Sequence, residues 1–527
     1  MEPNTCPIEM SDDLPCGRPI HDAPAGCDEK PVCLMHSLDP NKPHDEFKRE
    51  VDAILASSSS QHRPKFCFDF SGFVFLVADF RGRTFDKKTD FSGATFTRTA
   101  NFTNVTFTEV ADFHLATFDK KSYYRNAIFA NNAEFSWTTF TEEVIFGGAR
   151  FNRTADFIGA TFTKDVNFAS GTFGMATDFA EATFTKGAYF YGATFTAEIS
   201  FDHATFTDEA NFTQATFDKG ANFGRVTFTG AGNFQKANFT LEAIFFGATF
   251  CDMAFFDDTV FDSRSNALSS GAVPSTIADF RAVRFLKPDL VRFLRTNGKE
   301  TEGLRVRFVN SHVEGVQFDA VRWHRTDGRM VLQDELDVIE QGEDAPSHEE
   351  TAIVYRRLIT NFEKARAYDL AEDCTIGEFE MKRRDPSRFI FVKGLGPLYG
   401  RFPWFMRWVG EQLSVIGIYR LASVYGTSYH RALAVLGFLL IGFGVLFSTV
   451  VDIKPMNVNA ISICDQSSAG GALCAGLTHA VEVAALQKDL LYVPASSSGR
   501  MTEVLEQALI AGQVALLLFA LSRRFRR

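Results

Sequence analysis

No apolar run follows Met1, no glycine-rich phosphate loop occurs, and the eleven histidines are scattered. The first absence argues against an export signal and for an N-terminus that stays in the cytoplasm. The second, with the lack of any nucleophile motif, argues against an enzyme. Nor is there an excess of positive charge. A formal net charge of −11 argues against general nucleic-acid binding, which relies on Lys and Arg to neutralise phosphates.

What the chain has in abundance is phenylalanine, 57 residues of it. From Phe91 it falls at Phe96, Phe102, Phe107, Phe113 and Phe118, and the same alternation of five and six runs to Phe256 and Phe261. Tyr124 fills the one slot that is not Phe. The period is eleven residues, a pentad Ala-(Asn/Asp)-Phe-x-x followed by a hexad Ala-Thr-Phe-Thr-x-x. Positions two apart share a face in an extended chain, so Ala and Phe point inward while Thr, Asn and Asp point out. Five-residue units are too short for useful helices, and Thr and Phe favour strands. A chain that turns every unit and stacks on itself is a solenoid.

The Ala-x-Phe run from Phe68 to Phe261 resembles the pentapeptide-repeat family. That resemblance implies an all-β right-handed quadrilateral β-helix. The extra residue of every second unit implies a coil of about 22 residues with a bulge at one corner. At about 4.8 Å per coil, roughly nine coils make a rod some 40–45 Å long. The aromatics are read as core. Thr-x-Thr ladders such as Thr161/Thr163 and Thr183/Thr185 are read as β-propensity and side-chain hydrogen bonding rather than ice binding. Some relatives mimic DNA with an acidic surface; residues 66–261 carry 23 acidic and 15 basic side chains, too mixed by count for a single-signed field.

Residues 1–65 are polar and hold Cys6, Cys16, Cys27 and Cys33, with His36 completing a Cys-x-x-His pair. Thiolates and imidazole are the ligands of tetrahedral zinc, and a segment with so little apolar content needs such a staple. The alternative is an unstructured tail with free thiols; Cys27 and His21 are further candidate ligands. The phrase Cys33-Leu-Met-His36-Ser resembles the zinc-finger-like head of some pentapeptide-repeat proteins, which implies a structural zinc on Cys6, Cys16, Cys33 and His36. A short helix is expected over 45–55.

Beyond Asp262 the repeat falters. Residues 263–275 read as a Ser-rich loop, 276–323 as degenerate closing coils within a solenoid domain of 66–333, and 334–348 as an acidic linker. Residues 349–425 have helical spacing at Val354, Leu358 and Phe362, followed by an aromatic, Arg-containing juxtamembrane stretch from Phe389 to Arg420. The phrases from Tyr355 to Arg366 and Gly377-Glu-Phe-Glu-Met-Lys382 resemble the connector between rod and membrane in larger members of the family.

Ala432 to Val451 is an uncharged run long enough to span a bilayer, and Val504 to Leu521 is a second candidate interrupted by Glu506, Gln507 and Gln513. These define a two-span domain over 426–527 with a loop at 453–502. Arginines flank the ends away from that loop, so both termini are expected in the cytoplasm of a multi-pass protein of the cell membrane. Cys464 and Cys474, in a loop facing outward, are expected to form a disulfide. The module resembles that of two-helix potassium channels, but the filter Thr-Val-Gly-Tyr-Gly is missing, and 485–492 offers no glycine in its place. The resulting reading is a membrane-anchored scaffold of bacterial type whose cytosolic solenoid binds a protein partner. The alternative is an oligomeric, channel-like membrane protein regulated by that solenoid.

Overall fold

Each eleven-residue repeat lays down two short strands, one on the pentad and one on the hexad, so two repeats close a four-sided coil. One coil runs through Ala111–Asp112, Thr117–Phe118, Ser122–Tyr123 and Ile128–Phe129, on faces 1 to 4 in turn. In a computed structural model, the next coil pairs with it in parallel 22 residues later, as in Thr117 with Thr139 and Ala111 with Ala133. Faces 1 and 3 hold eleven strands and faces 2 and 4 hold ten. The β-solenoid is therefore longer than nine coils, because degenerate units such as Arg305–Arg307 and Gln317–Asp319 still pair in register. The structure describes residues 5–10, 14–24, 26–56, 67–261, 277–298, 303–341, 345–385, 387, 411, 412, 414–451, 453–456, 464, 468–485 and 490–525. The Ser-rich loop at 263–275 and most of the juxtamembrane stretch lie outside these residues.

The two kinds of corner explain the two kinds of unit. At a pentad corner the Asn or Asp before the Phe accepts a hydrogen bond from the backbone two residues on. Asp112 Oδ1 takes one from His114 N at 3.0 Å and Asn167 Oδ1 from Ala169 N at 2.8 Å. The turn closes with Ala116 N donating to Phe113 O, and its third residue, Leu115, has φ 57°. The same slot is Gly at Gly159 and Gly192, where positive φ costs least. Hexad corners show no such residue, and the extra position sits there, after Phe-Thr.

Inside, the rings stack. From Phe91 through Phe113, Phe135, Phe157, Phe179, Phe201 and Phe223 to Phe245, centroids are 4.7–5.0 Å apart. Rings from the opposite face meet this ladder edge-on, as Phe146 meets Phe135 at 88°. Burying each ring is worth roughly 1.5–3 kcal/mol, and the two geometries are those the ring quadrupole favours. Tyr124 is stacked at 4.9 Å on Phe102, and its buried hydroxyl has no hydrogen-bond partner among the described residues.

The last coil is closed by what the sequence suggested was linker. Residues Gln333–Glu340 form α2 (α1 is His44–Ala56). Asp334, fully buried, accepts hydrogen bonds from Phe308 N at 2.7 Å and Val309 N at 3.3 Å, and Asp337 pairs with Arg307 at 2.6 Å. An acidic run thus turns inward because the final coil has backbone donors with no next coil to meet them. Burial raises the Asp334 carboxyl from 3.8 to about 7. In this window the folded state binds the proton that the unfolded state has released, so this group's contribution falls as pH rises from about 4 to about 7, by at most about 1.4 kcal/mol per unit. Amide exchange at Phe308 and Val309 should quicken over that range, relative to Asp334→Asn. An identical pH response in the variant would remove the assignment.

The chain divides into Met1–Pro346 and Ser347–Arg527. In the second unit, α3 (His348–Lys364) opens with a capping box between Ser347 and Glu350 and packs beside α4 (Tyr368–Arg384). Both phrases of the expected connector have a role here. Gly377 lies under Tyr355, where a Cβ would meet the ring at 2.6 Å. Glu378 binds Arg356 and Lys382, and Phe379 stacks on Tyr425 at 5.1 Å.

Among the described residues four further helices follow: α5 (Val415–Ser423), α6 (Tyr429–Thr449), α7 (Ala469–Ala484) and α8 (Ser497–Phe525). Tyr429–Thr449 and Ser497–Ser522 are long and apolar enough to cross a membrane. Between them, Ile453–Pro455 pairs antiparallel with Tyr492–Pro494, and Cys464 is bonded to Cys474. Within the same loop, α7 is capped at its start by Ser468. It packs on α6 so closely that a Cβ on Gly476 would lie 2.2 Å from Gly444 O.

Candidate metal centre

The described residues up to Pro43 have almost no regular structure, only short antiparallel bridges: Thr5 with Pro19, Glu9 with Pro15, and Ile20 with Cys33. These bridges do one thing well, which is to bring distant cysteines together. Cys6 N donates to Arg18 O and Cys16 N to Ile8 O, so Cys6 and Cys16 face each other across a hairpin turning near Leu14. His36 N donates to Cys33 O at 3.0 Å, closing the tight Cys-x-x-His turn.

The ligand atoms of Cys6, Cys16, Cys33 and His36 lie within 4.8 Å of one another, and all four residues are buried. Cys33 Sγ is 3.1 Å and Cys6 Sγ 3.5 Å from His36 Nδ1, and the Cys16 and Cys33 sulfurs are 3.7 Å apart. Ligands at about 2.0–2.3 Å around a tetrahedral zinc stand about 3.3–3.8 Å apart, so the donor set and spacing fit that ion. On its far side His36 Nε2 is 3.3 Å from Ser71 O. Donation of the Nε2 proton to that carbonyl leaves Nδ1 as the lone-pair donor facing the sulfurs.

Charge in the cluster is unequal. Hydrogen bonds from Cys33 and Cys6 hold the Cys16 thiol far below the usual thiol range, and Arg18 Nη1 donates to its sulfur at 3.2 Å. Hydrogen bonding with Cys16 and Cys6, together with burial, pushes Cys33 up. Burial opposes protonation of His36, but hydrogen bonds to Cys16 and Cys6 raise it to about 9. Three sulfurs this close compete for too few protons, a conflict that a dication removes.

The four residues expected as ligands are brought together. Cys27 is not among them; it is half-buried and a free thiol. His21 Nε2 is instead 3.4 Å from Asp39. Missed at the level of sequence was Lys42, buried beneath the centre. Its Nζ donates to Leu34 O, Ser37 O and Val74 O at 3.0, 2.9 and 2.6 Å, and burial lowers it to about 8. A lone lysine in a polar segment carries no signal of this.

The cluster sits on the open end of the solenoid. His36 meets Phe73 edge-on at 5.2 Å, Val74 N donates to Met35 O, and Phe47 of α1 meets Phe75 at 5.4 Å. The segment is therefore a cap continuous with the first coil rather than a separate tail.

The architecture defines a class: a capped, aromatic-filled β-solenoid followed by helices, two of them candidate membrane spans. A family model described as pentapeptide repeats matches residues 113–161 and 190–238, in nine copies, so the solenoid of this chain is a pentapeptide-repeat structure. No curated protein and no solved structure matches the chain.

Proposed function

We propose that this is a membrane-anchored scaffold whose solenoid presents ordered rows of side chains to a protein partner, with a structural zinc on Cys6, Cys16, Cys33 and His36 closing its first coil. The observation that carries the reading is how the faces differ. On face 1 the same position of successive coils is Asp69, Asp90, Asp112, Glu134, Asp156 and Asp178, six carboxylates in register, of which Asp90 is buried beside Lys88 and the other five are partly exposed. On face 2 the same position is Thr from Thr95 to Thr249. The near-balance of charge by count conceals this segregation, since many of the basic residues lie at corners and on other faces.

Like charges directly opposite on neighbouring strands are destabilising, and burial together with neighbouring carboxylates raises Glu134 and Asp178. Such a row favours a cationic partner surface, which relieves the repulsion on binding. A solenoid filled with rings has no interior site, so its recognition belongs to these outer faces.

Two-span anchoring with both termini in the cytoplasm completes the proposal. The test is capture by the detergent-extracted full chain, compared with Glu134→Lys/Asp156→Lys/Asp178→Lys. A partner held by the wild type and lost by the variant supports the reading; equal capture by both excludes face 1. The channel-like alternative, including self-association, has one supporting observation, the packing of α7 against α6 between the two candidate spans.

A further inference from the structure

Glu506 lies in the middle of the apolar helix α8 and is fully buried. Neither carboxyl oxygen has a hydrogen-bond partner among the described residues. The contrast with Gln513, seven residues further on the same face, is informative. Gln513 is also buried, but its Nε2 donates to Ala422 O at 2.9 Å and Ala432 O at 2.8 Å, so it has an evident structural task. Glu506 holds nothing in place. An unpaired carboxylate in an apolar interior costs several kcal/mol, so the group is neutral there, carrying its proton.

The ionisable groups on α8 and on the elements packed against it are few. On α8 itself, Glu503 is one turn earlier on the same face, with Arg500 beyond it. Helix α7 contributes the buried His479 and Glu482, the latter already accepting from Leu491 N at 2.9 Å. Helix α6 is uncharged after Arg431, Arg420 on α5 is held by Glu380, and Tyr492–Pro494 has no charge. Among the described residues no cation is placed to pair with Glu506. The nearest polar step leads through Glu503 toward the Ser497 end of the helix, which the proposed topology puts on the outer side. Glu506 lies about 13 Å in from that end, at 1.5 Å per residue.

We propose that Glu506 is a proton-binding site inside the membrane domain, loaded from the outer side through Glu503. The inference rests on the proposed membrane placement of α8. Ionisable groups within spans mark such sites because their burial is costly and their charge state is easily switched.

The test uses the full chain reconstituted in phosphatidylcholine vesicles, with inner and outer pH clamped separately. Dicyclohexylcarbodiimide, which reacts with protonated carboxyls in apolar surroundings, is the probe, and modified peptides are mapped by mass spectrometry. Glu506 should be modified at outer pH 6 and at least ten-fold less at outer pH 9, with the inner pH fixed at 7. The peptide should be unmodified in Glu506→Gln. Glu503→Gln should blunt the response to outer pH while leaving Glu506 reactive. Absence of Glu506 modification at every pH from 5 to 9, or modification that follows the inner pH, overturns the proposal. Extraction of the chain from vesicles by alkaline carbonate would instead overturn the membrane placement, so the two failures are distinguishable.

Discussion

Cys33→Ala, or removal of metal by a chelator, is expected to unfold the first 43 residues while leaving the coils beyond the first two intact. The segment has short bridges and few large apolar side chains to hold it together. Structural zinc contributes an apparent 10–16 kcal/mol to the folding of comparable small domains, far more than its scattered hydrogen bonds supply. Cys33 is the severest choice because its sulfur contacts both Cys16 and His36, and its backbone forms the bridge to Ile20.

With the cap gone, Phe73 loses His36 and the Arg18 guanidinium 5.3 Å from its ring, and the first strands lose their cover. An uncovered solenoid end is an open edge, so end-to-end association should follow. The check is zinc content near one per chain, together with amide exchange of residues 5–43 rising by at least about a thousand-fold in Cys33→Ala. Cys27→Ala should change neither. Zinc below half an equivalent in the wild type, or equal effects of the two substitutions, would sink the assignment.

The eleven-residue period was legible because every slot repeats one local decision, inward ring or outward polar group. The ligand set was legible from residue type and one tight spacing, Cys33 to His36. What distinguished Cys16 from Cys27 was hidden, since it depends on which strands bridge across thirty residues. The corner that takes the extra residue was also hidden; positive φ and the Asn or Asp hydrogen bond to the backbone together separate Leu115-type turns from the hexad corners. The capping role of Asp334 and Asp337 was hidden for a related reason. Composition reports that carboxylates are soluble, and it does not report that the last coil leaves N–H groups of Phe308 and Val309 in need of acceptors. Charge counted along the chain likewise averages over faces, and so conceals a row visible only in register.

The connector carries the second large effect. Glu380 is buried among cations: Oε2 accepts from Arg383 Nη2 at 2.8 Å, and Oε1 from Arg420 Nε at 2.7 Å and Tyr425 Oη at 2.9 Å. Arg383 in turn reaches Glu411 at 3.1 Å. Burial alone would raise the Glu380 carboxyl, but Arg383 and Arg420 hold it below its usual value. One carboxylate thus ties α4 to α5 and to the turn before α6, where Val424, Tyr425 and Gly426 all have positive φ. Two successive non-glycine residues in this region, Val424 and Tyr425, persist only when surrounding contacts impose them.

Glu380→Ala leaves Arg383 and Tyr425 buried with their main partner gone, and removing one member of a buried ionic network costs about 3–5 kcal/mol. Tyr425→Phe, which removes a single hydrogen bond to a charged group, should cost about 1.5–3 kcal/mol. If the turn is held as described, amide exchange at Gly426 and Ser428 should rise in both variants, most in Glu380→Ala, with a lowered melting temperature of the detergent-extracted chain. If Glu380→Ala costs less than Tyr425→Phe, the carboxylate is not the centre of the network and the turn owes its shape to Gln513 instead.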